Sequence, residues 1–269
     1  MNPIGIMQGR LSTPANQARQ IFPADCWREE FATAAKLGFN TIEWLVEAES
    51  LEANPLMSES GRIEIKKIIS ATGVKVASVC AHCILQWQPY AEGGPARLAQ
   101  LTEIISAAGA AGVERIVIPI LEAATTKKAA SLAEAAAVFN SATHAAELAK
   151  VDLAFEMDRS VEECRQFIGI LDSPRARICY DSGNATAEGR DIIAEVGQLL
   201  PLVAEIHLKD RKTGGGSVPL GQGDTLFPAF FKTLSVRQWS GPFVLETPAR
   251  DNPIKQARQN LAFVNKSWS

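Results

Sequence analysis

Four residues far apart in the chain share one local setting. Glu156 ends the apolar run VDLAFE, Asp181 ends RICYD, His207 closes VAEIH and Glu246 closes PFVLE. Each run is short and gives way to charged or turn-forming residues, the pattern of a buried strand rather than a helix. The residue types suggest the chemistry. Three carboxylates brought together repel one another and raise each other's pKa. A divalent cation removes that conflict, and one imidazole with three carboxylates suits Mn, Co, Zn or Mg better than it suits a soft metal. Taken singly, an acidic residue after a strand is more often a helix cap or a turn residue. The recurrence of the pattern at four strand ends is what points to one shared metal site.

Bringing these four together makes demands on the scaffold. Strands are expected at 4–7 (IGIM), 41–45 (TIEWL), 74–81 (VKVASVCA), 114–120 (ERIVIPI), 151–157 (VDLAFEM), 177–181 (RICYD), 203–208 (VAEIHL) and 242–246 (PFVLE). Helical patterns fall between and after them, at 25–37, 59–71, 95–111, 132–150, 160–171, 187–200, 227–234 and 253–264. Ser160 is placed to cap its helix, with Glu162 and Glu163 in the first turn. Several helices stop at glycine just before a strand, in LGFNT, ATGV and AAGVE, as short connecting loops require. Strands joined by helical crossovers run parallel. Eight such units in 269 residues, with no Pro/Ser-rich linker, predict a single (β/α)8 TIM barrel over 1–269. The runner-up is an open doubly wound sheet, which the lack of GxGxxG after the first strand disfavours. In a barrel, strands five to eight end side by side on the rim where active sites lie.

Composition narrows the partners. Hydrophobic residues make up 46% and charged residues 21%, with a formal net charge of −3, an ordinary globular balance. No basic cluster stands out, so no nucleic-acid partner is expected. No apolar run is long enough to span a membrane and the N-terminus does not read as a signal peptide, so the default expectation is a cytoplasmic enzyme. The five cysteines (26, 80, 83, 164, 179) are an odd number, which argues against a disulfide framework. Cys80 and Cys83 form a CxxC in VCAHC. A zinc reading lacks a second close pair, and a thioredoxin-like reading wants a smaller fold, so these are expected to be small residues at a buried strand end.

Over its whole length the chain resembles the xylose-isomerase-like barrel superfamily of sugar and sugar-phosphate isomerases and epimerases. The resemblance is carried by GIMQGRLS, GFNTIEW, the Glu of the fifth strand, DSGN, IHLKDR, VPLGQGD and the Glu in FVLET. The GRLS, NPL and HLKD elements look most like the branch of ketose-phosphate 3-epimerases and hexulose-phosphate isomerases. The resemblance implies one divalent ion held by Glu156, Asp181, His207 and Glu246. It also implies that Glu156 and Glu246 double as an acid/base pair on opposite faces of a bound ketose or ketose phosphate. Proton transfer beside a carbonyl then runs through an enediolate, which a metal stabilises as a Lewis acid and a positioned carboxylate generates.

Two positions depart from relatives with known sugars. Asn184 stands where ketohexose 3-epimerases carry a histidine, and His82 stands where related chains tend to have an acid; both are candidate substrate contacts. Glu43 and Trp44 at the end of the second strand are of the same rank, and Trp44, Trp87 and Phe243 are expected to be wall and core. Barrels often bind phosphate in the loops after strands seven and eight, which makes Lys209, Arg211, the glycines 214–216 and Arg250 candidates for an anionic substrate end. The bland alternative pairs Lys209 with Asp210 or Glu205 and makes GGGS a hinge. Inositol-ketone dehydration would use the same metal and Glu base. An endonuclease IV-like nuclease is disfavoured by a total of three His (82, 144, 207), and a non-catalytic sugar-binding barrel by the complete ligand set. The oligomeric state, a homo-oligomer included, is left open by the sequence.

Overall fold

A computed structural model describes residues 2–12, 21–248 and 252–268. Its strands are β1 (Ile4–Met7), β2 (Thr41–Leu45), β3 (Lys75–Cys80), β4 (Arg115–Ile120), β5 (Asp152–Met157), β6 (Ala176–Asp181), β7 (Val203–Leu208), β8 (Asp210–Arg211), β9 (Ser217–Val218) and β10 (Phe243–Leu245). Eight of them close a barrel in the order β1-β10-β7-β6-β5-β4-β3-β2. The neighbours β1/β10, β1/β2, β10/β7, β3/β4, β4/β5 and β5/β6 pair in parallel. β8 and β9 form a separate antiparallel hairpin in the loop after β7. This is the (β/α)8 TIM barrel that the alternation of elements predicts, and the open sheet is excluded.

Local sequence accounts for most element ends. Gly38 and Gly112 end their helices with φ of 95° and 83°, a left-handed conformation that only glycine adopts without strain. The helix Val161–Leu171 opens with a full capping box between Ser160 and Glu163, which satisfies two otherwise unpaired amides. Three helical stretches differ from expectation. The one expected at 95–111 is broken at Leu98, and the one at 132–150 is broken at Val138 and Phe139. The one at 187–200 begins only at Ile192, where the Asp191 side chain accepts the Ile193 and Ala194 amides. Phe139 is fully buried, with its ring 5.2 Å from that of Phe155, so tertiary packing breaks a pattern whose alanine content favours helix. Two short helices were not expected, Cys83–Trp87 and Ser182–Ala187.

The chain packs as two compact units. One comprises Met1–Glu43, Thr72–Lys75 and Tyr180–Ser269; the other comprises Trp44–Ala71 and Val76–Cys179. In the first, Phe227, Phe231, Phe243 and Trp268 form an aromatic cluster with ring centres 5.1 to 5.8 Å apart. In the second, Phe139, Phe155 and Phe167 meet edge to face, an arrangement worth ~0.5–1.5 kcal/mol per pair beyond burial. The expected wall and core roles of Trp44, Trp87 and Phe243 agree with their burial, and Trp44 Nε1 donates to Asn54 Oδ1 at 2.9 Å. All five cysteines are free thiols, and burial pushes the Cys83 thiol well up, as for an inert core residue. No helix among the described residues is long and apolar enough to cross a membrane.

Candidate active site

The expected ligands fall at the ends of their strands. Glu156 is the next-to-last residue of β5, Asp181 is the last of β6, His207 is the next-to-last of β7, and Glu246 directly follows β10. All four are buried, and one ligand-type atom from each lies within 4.8 Å of the others, a grouping that could hold a metal ion. The register sets Val244 opposite His207 and Leu245 opposite Leu208, and His207 Nδ1 lies 3.0 Å from Glu246 Oε2. Asp181 divides its two oxygens. Oδ1 accepts the Gly183 and Asn184 amides, each at 2.8 Å, and so caps the helix Ser182–Ala187. Oδ2 is buried and lies 2.9 Å from the Lys209 ammonium.

Lys209 sits inside the cluster. Its Nζ is 2.8 Å from Glu246 Oε2 as well as 2.9 Å from Asp181 Oδ2. Lys209, a candidate for the anionic substrate end with a pairing to Asp210 or Glu205 as the bland alternative, turns its ammonium toward the Asp181 and Glu246 carboxylates. Burial alone would raise the Glu246 carboxyl, but the Lys209 ammonium and the His207 ring together outweigh it. They hold it well below the usual carboxylate range.

Two further carboxylates, Glu43 and Glu205, complete the setting of His207. Its Nε2 lies 3.2 and 3.3 Å from the two oxygens of Glu43 and 3.5 Å from Glu205 Oε1. Glu43, Glu205 and His207 are all fully buried. Burial raises the Glu43 carboxyl, His207 pulls it back and Glu205 raises it again, leaving it at about 7. Acids thus face both ring nitrogens, Glu43 and Glu205 at Nε2 and Glu246 at Nδ1, and fix the ring from both edges. A signal did exist. Glu205 shares the face of His207 two residues along the strand, and an acid inside an apolar run calls for a partner. Cys179, Glu205 and His207 make a second grouping of potential ligands, which shares the same histidine.

The residues proposed for substrate contact are placed as follows. Arg211 Nε and Nη2 donate to the Gly215 carbonyl at 3.1 and 2.9 Å, and Nη1 donates to Asn184 Oδ1 at 3.0 Å. Arg211 and Asn184 thus brace the hairpin loop. The amides of Gly214 and Gly215 donate to the Ala187 and Lys212 carbonyls, so GGGS is a tied turn rather than an open anion nest. Asp210, fully buried, accepts the amides of Gly221, Gly223 and Thr225 and staples the VPLGQGD loop. His82 is half-buried and directly precedes the helix Cys83–Trp87. Arg250 lies outside the described residues.

Comparison with known proteins agrees with this architecture. The family model described as xylose isomerase-like TIM barrel matches residues 31–267. The L-ribulose-5-phosphate 3-epimerase UlaE of Escherichia coli is 26% identical over 258 residues, covering 91% of this chain and 86% of UlaE. Among solved structures, an L-ribulose 3-epimerase superposes with a TM-score of 0.77 at 16% identity, covering 100% of this chain and 95% of that one. The IOLI protein, solved with a bound zinc atom, superposes with a TM-score of 0.72 at 15% identity, covering 99% of each chain. At such identities the two superpositions speak for the fold alone.

Proposed function

Because the chain belongs to the xylose isomerase-like TIM barrel family, we propose that it is a metal-dependent 3-epimerase acting on a ketose or ketose phosphate. The observation that carries this reading is the buried grouping of Glu156, Asp181, His207 and Glu246. The UlaE relative, an L-ribulose-5-phosphate 3-epimerase, supports the reaction type and the substrate class.

The residues present fit a divalent ion. Three carboxylates and one imidazole are the donor set that Mn, Co, Zn and Mg accept. Asp181 Oδ2, buried, already draws a cationic group. In this reading Glu156, Asp181, His207 and Glu246 hold the ion. When bound, the ion supplies Lewis-acid stabilisation of the negative charge that develops on the substrate oxygens, worth several kcal/mol.

The chain's own residues do the rest. Glu246, held ionised, is set to accept a proton from the carbon beside the substrate carbonyl. Glu156 is its counterpart on the opposite face and returns a proton there, which inverts the centre. A positioned carboxylate of this kind contributes ~10²–10⁴-fold. Asp181 is fixed by its helix cap and His207 by Glu43 and Glu205, so both hold position without exchanging protons. Recognition of a phosphate end by Arg211 and Arg250 belongs to the same reading and rests on the relatives rather than on geometry. His82 and Asn184 are proposed to set hydroxyl recognition, with Asn184 acting through its bond to Arg211.

The test is proton exchange in heavy water. Mn²⁺-loaded protein incubated with L-ribulose and with L-ribulose 5-phosphate is expected to place deuterium at C3 of at least one and to form its C3 epimer. Release of water without epimer formation would turn the reading toward a dehydratase. No exchange and no turnover with a panel of ketoses and their phosphates would remove it.

A further inference from the structure

Lys209 is held in the carboxylate cluster by more than its charge. Ser182 Oγ donates to the Lys209 carbonyl at 2.9 Å and accepts the Lys209 amide at 3.2 Å, so both ends of that peptide segment are fixed to the residue after Asp181. Gly183 then lets the lysine stem pass. A Cβ there would lie 2.8 Å from both Cβ and Cγ of Lys209 and 3.0 Å from its carbonyl carbon. In DSGN, therefore, Asp181 meets the ammonium, Ser182 anchors the backbone and Gly183 clears the path. The side chain is 12% exposed, and its Nζ contacts Asp181 Oδ2 and Glu246 Oε2, themselves on side chains 1% and 9% exposed.

We propose that Lys209 is a built-in counter-cation, which competes with the divalent ion for Asp181 and Glu246 and so sets how tightly the chain binds metal. The inference rests on the reading that this cluster holds an ion. The physical ground is that two of the four ligand residues already direct an oxygen at an ammonium. A buried carboxylate left without a cation is costly, so Lys209 keeps the ion-free fold stable. A divalent ion entering the same small cluster meets like charge at short range. It gains the carboxylates only as the ammonium withdraws. The four-carbon stem gives that freedom, which a rigid, planar guanidinium would not. Tight binding is thus exchanged for a site that is stable both with and without its ion.

The experiment titrates chelator-stripped full-length protein with MnCl₂ by calorimetry, for wild type, Lys209→Met and Lys209→Gln. Both variants are expected to bind Mn²⁺ at least tenfold more tightly than wild type. In the stripped state both are expected to melt at a lower temperature than wild type, and saturating Mn²⁺ is expected to erase that difference. Unchanged or weaker Mn²⁺ binding overturns the competition, since Lys209 would then support the ligands instead of opposing the ion. A stripped-state melting temperature equal to that of wild type overturns its part as counter-cation. If only one variant folds, the same criteria apply to it. Failure of wild type and variants alike to bind Mn²⁺ overturns the metal reading itself, and the proposal with it. Binding by the variants but not by wild type is the competition at its strongest.

Discussion

His207 is the residue on which the site turns, because each ring nitrogen faces a different task. Nδ1 faces Glu246 at 3.0 Å, and Nε2 faces Glu43 at 3.2 and 3.3 Å. His207→Ala or Asp181→Ala is expected to release the bound ion, as read by metal content after gel filtration. Retention of both metal and activity would place the site elsewhere. Glu43→Leu removes the nearer of the two acids at Nε2 and is expected to weaken metal binding by ~10–100-fold, the usual effect of losing a ligand's supporting partner. Glu43→Gln keeps an acceptor and is expected to recover most of that loss; equal effects would reduce Glu43 to a space-filling role. Glu156→Gln and Glu246→Gln are expected to keep the fold but lower kcat by at least ~10²-fold, because an amide cannot take up a proton. Circular dichroism and steady-state kinetics check this together, and full activity in both would leave the acid/base pair without support.

At the scale of elements, buried acids fasten loops to the barrel. Glu30, on the helix Trp27–Leu37, accepts the amides of Gly9 and Leu11 and the Ser12 hydroxyl at 2.9, 3.1 and 2.8 Å. It thereby folds the GRLS segment back after β1. Burial raises its carboxyl above the ordinary 4.5, against the pull of those three donors. The sign follows by linkage. The folded state holds the proton more tightly than the unfolded one, so the contribution is complete below pH 4.5 and falls as pH rises through the raised folded value. The stability of wild type minus that of Glu30→Gln is expected to decrease over that window, as measured by urea unfolding at stepped pH. A difference that grows with pH would mean that the three donors outweigh burial. Asp210 does the same work for the loop after β7. A Cβ on Gly223 would overlap its carboxylate, which explains the glycine in GQGD without any ligand.

For the whole molecule, the barrel fixes which ends of the strands meet, and substrate recognition is proposed to lie in the loops. One relative is an L-ribulose-5-phosphate 3-epimerase, and one superposed structure is that of an L-ribulose 3-epimerase. If a phosphate end is recognised, L-ribulose 5-phosphate is expected to exceed L-ribulose in kcat/KM by at least ~10-fold, about 1.4 kcal/mol of transition-state binding. Arg250→Ala is expected to erase most of that difference. Arg211→Ala is expected to disturb the hairpin as well, since its guanidinium holds Gly215 and Asn184. Equal kcat/KM for the two substrates would assign the chain to free ketoses.

The sequence alone determined the alternation of strands and helices, the barrel and the four strand-end residues proposed as ligands. Each is a local fact: an apolar run about as long as a strand, the residue that closes it, a glycine that stops a helix. Gly38 and Ser160 could be read this way because their roles depend on neighbours a few residues off. Tertiary structure decided which side chains meet. Glu43 and His207 are 164 positions apart, and Asn184 and Arg211 are 27 apart. No local pattern encodes such pairs, because the closure and register of the parallel strands bring them together. Lys209 shows the difference most directly. Its place after the seventh strand suggested an anion contact or, as the alternative, a surface pair, yet the pinned backbone at Ser182 and the space left by Gly183 direct it to Asp181 and Glu246. The same lysine could be a solvated charge or a buried counter-cation, and only the fold distinguishes them, because burial makes an unbalanced pair of carboxylates costly.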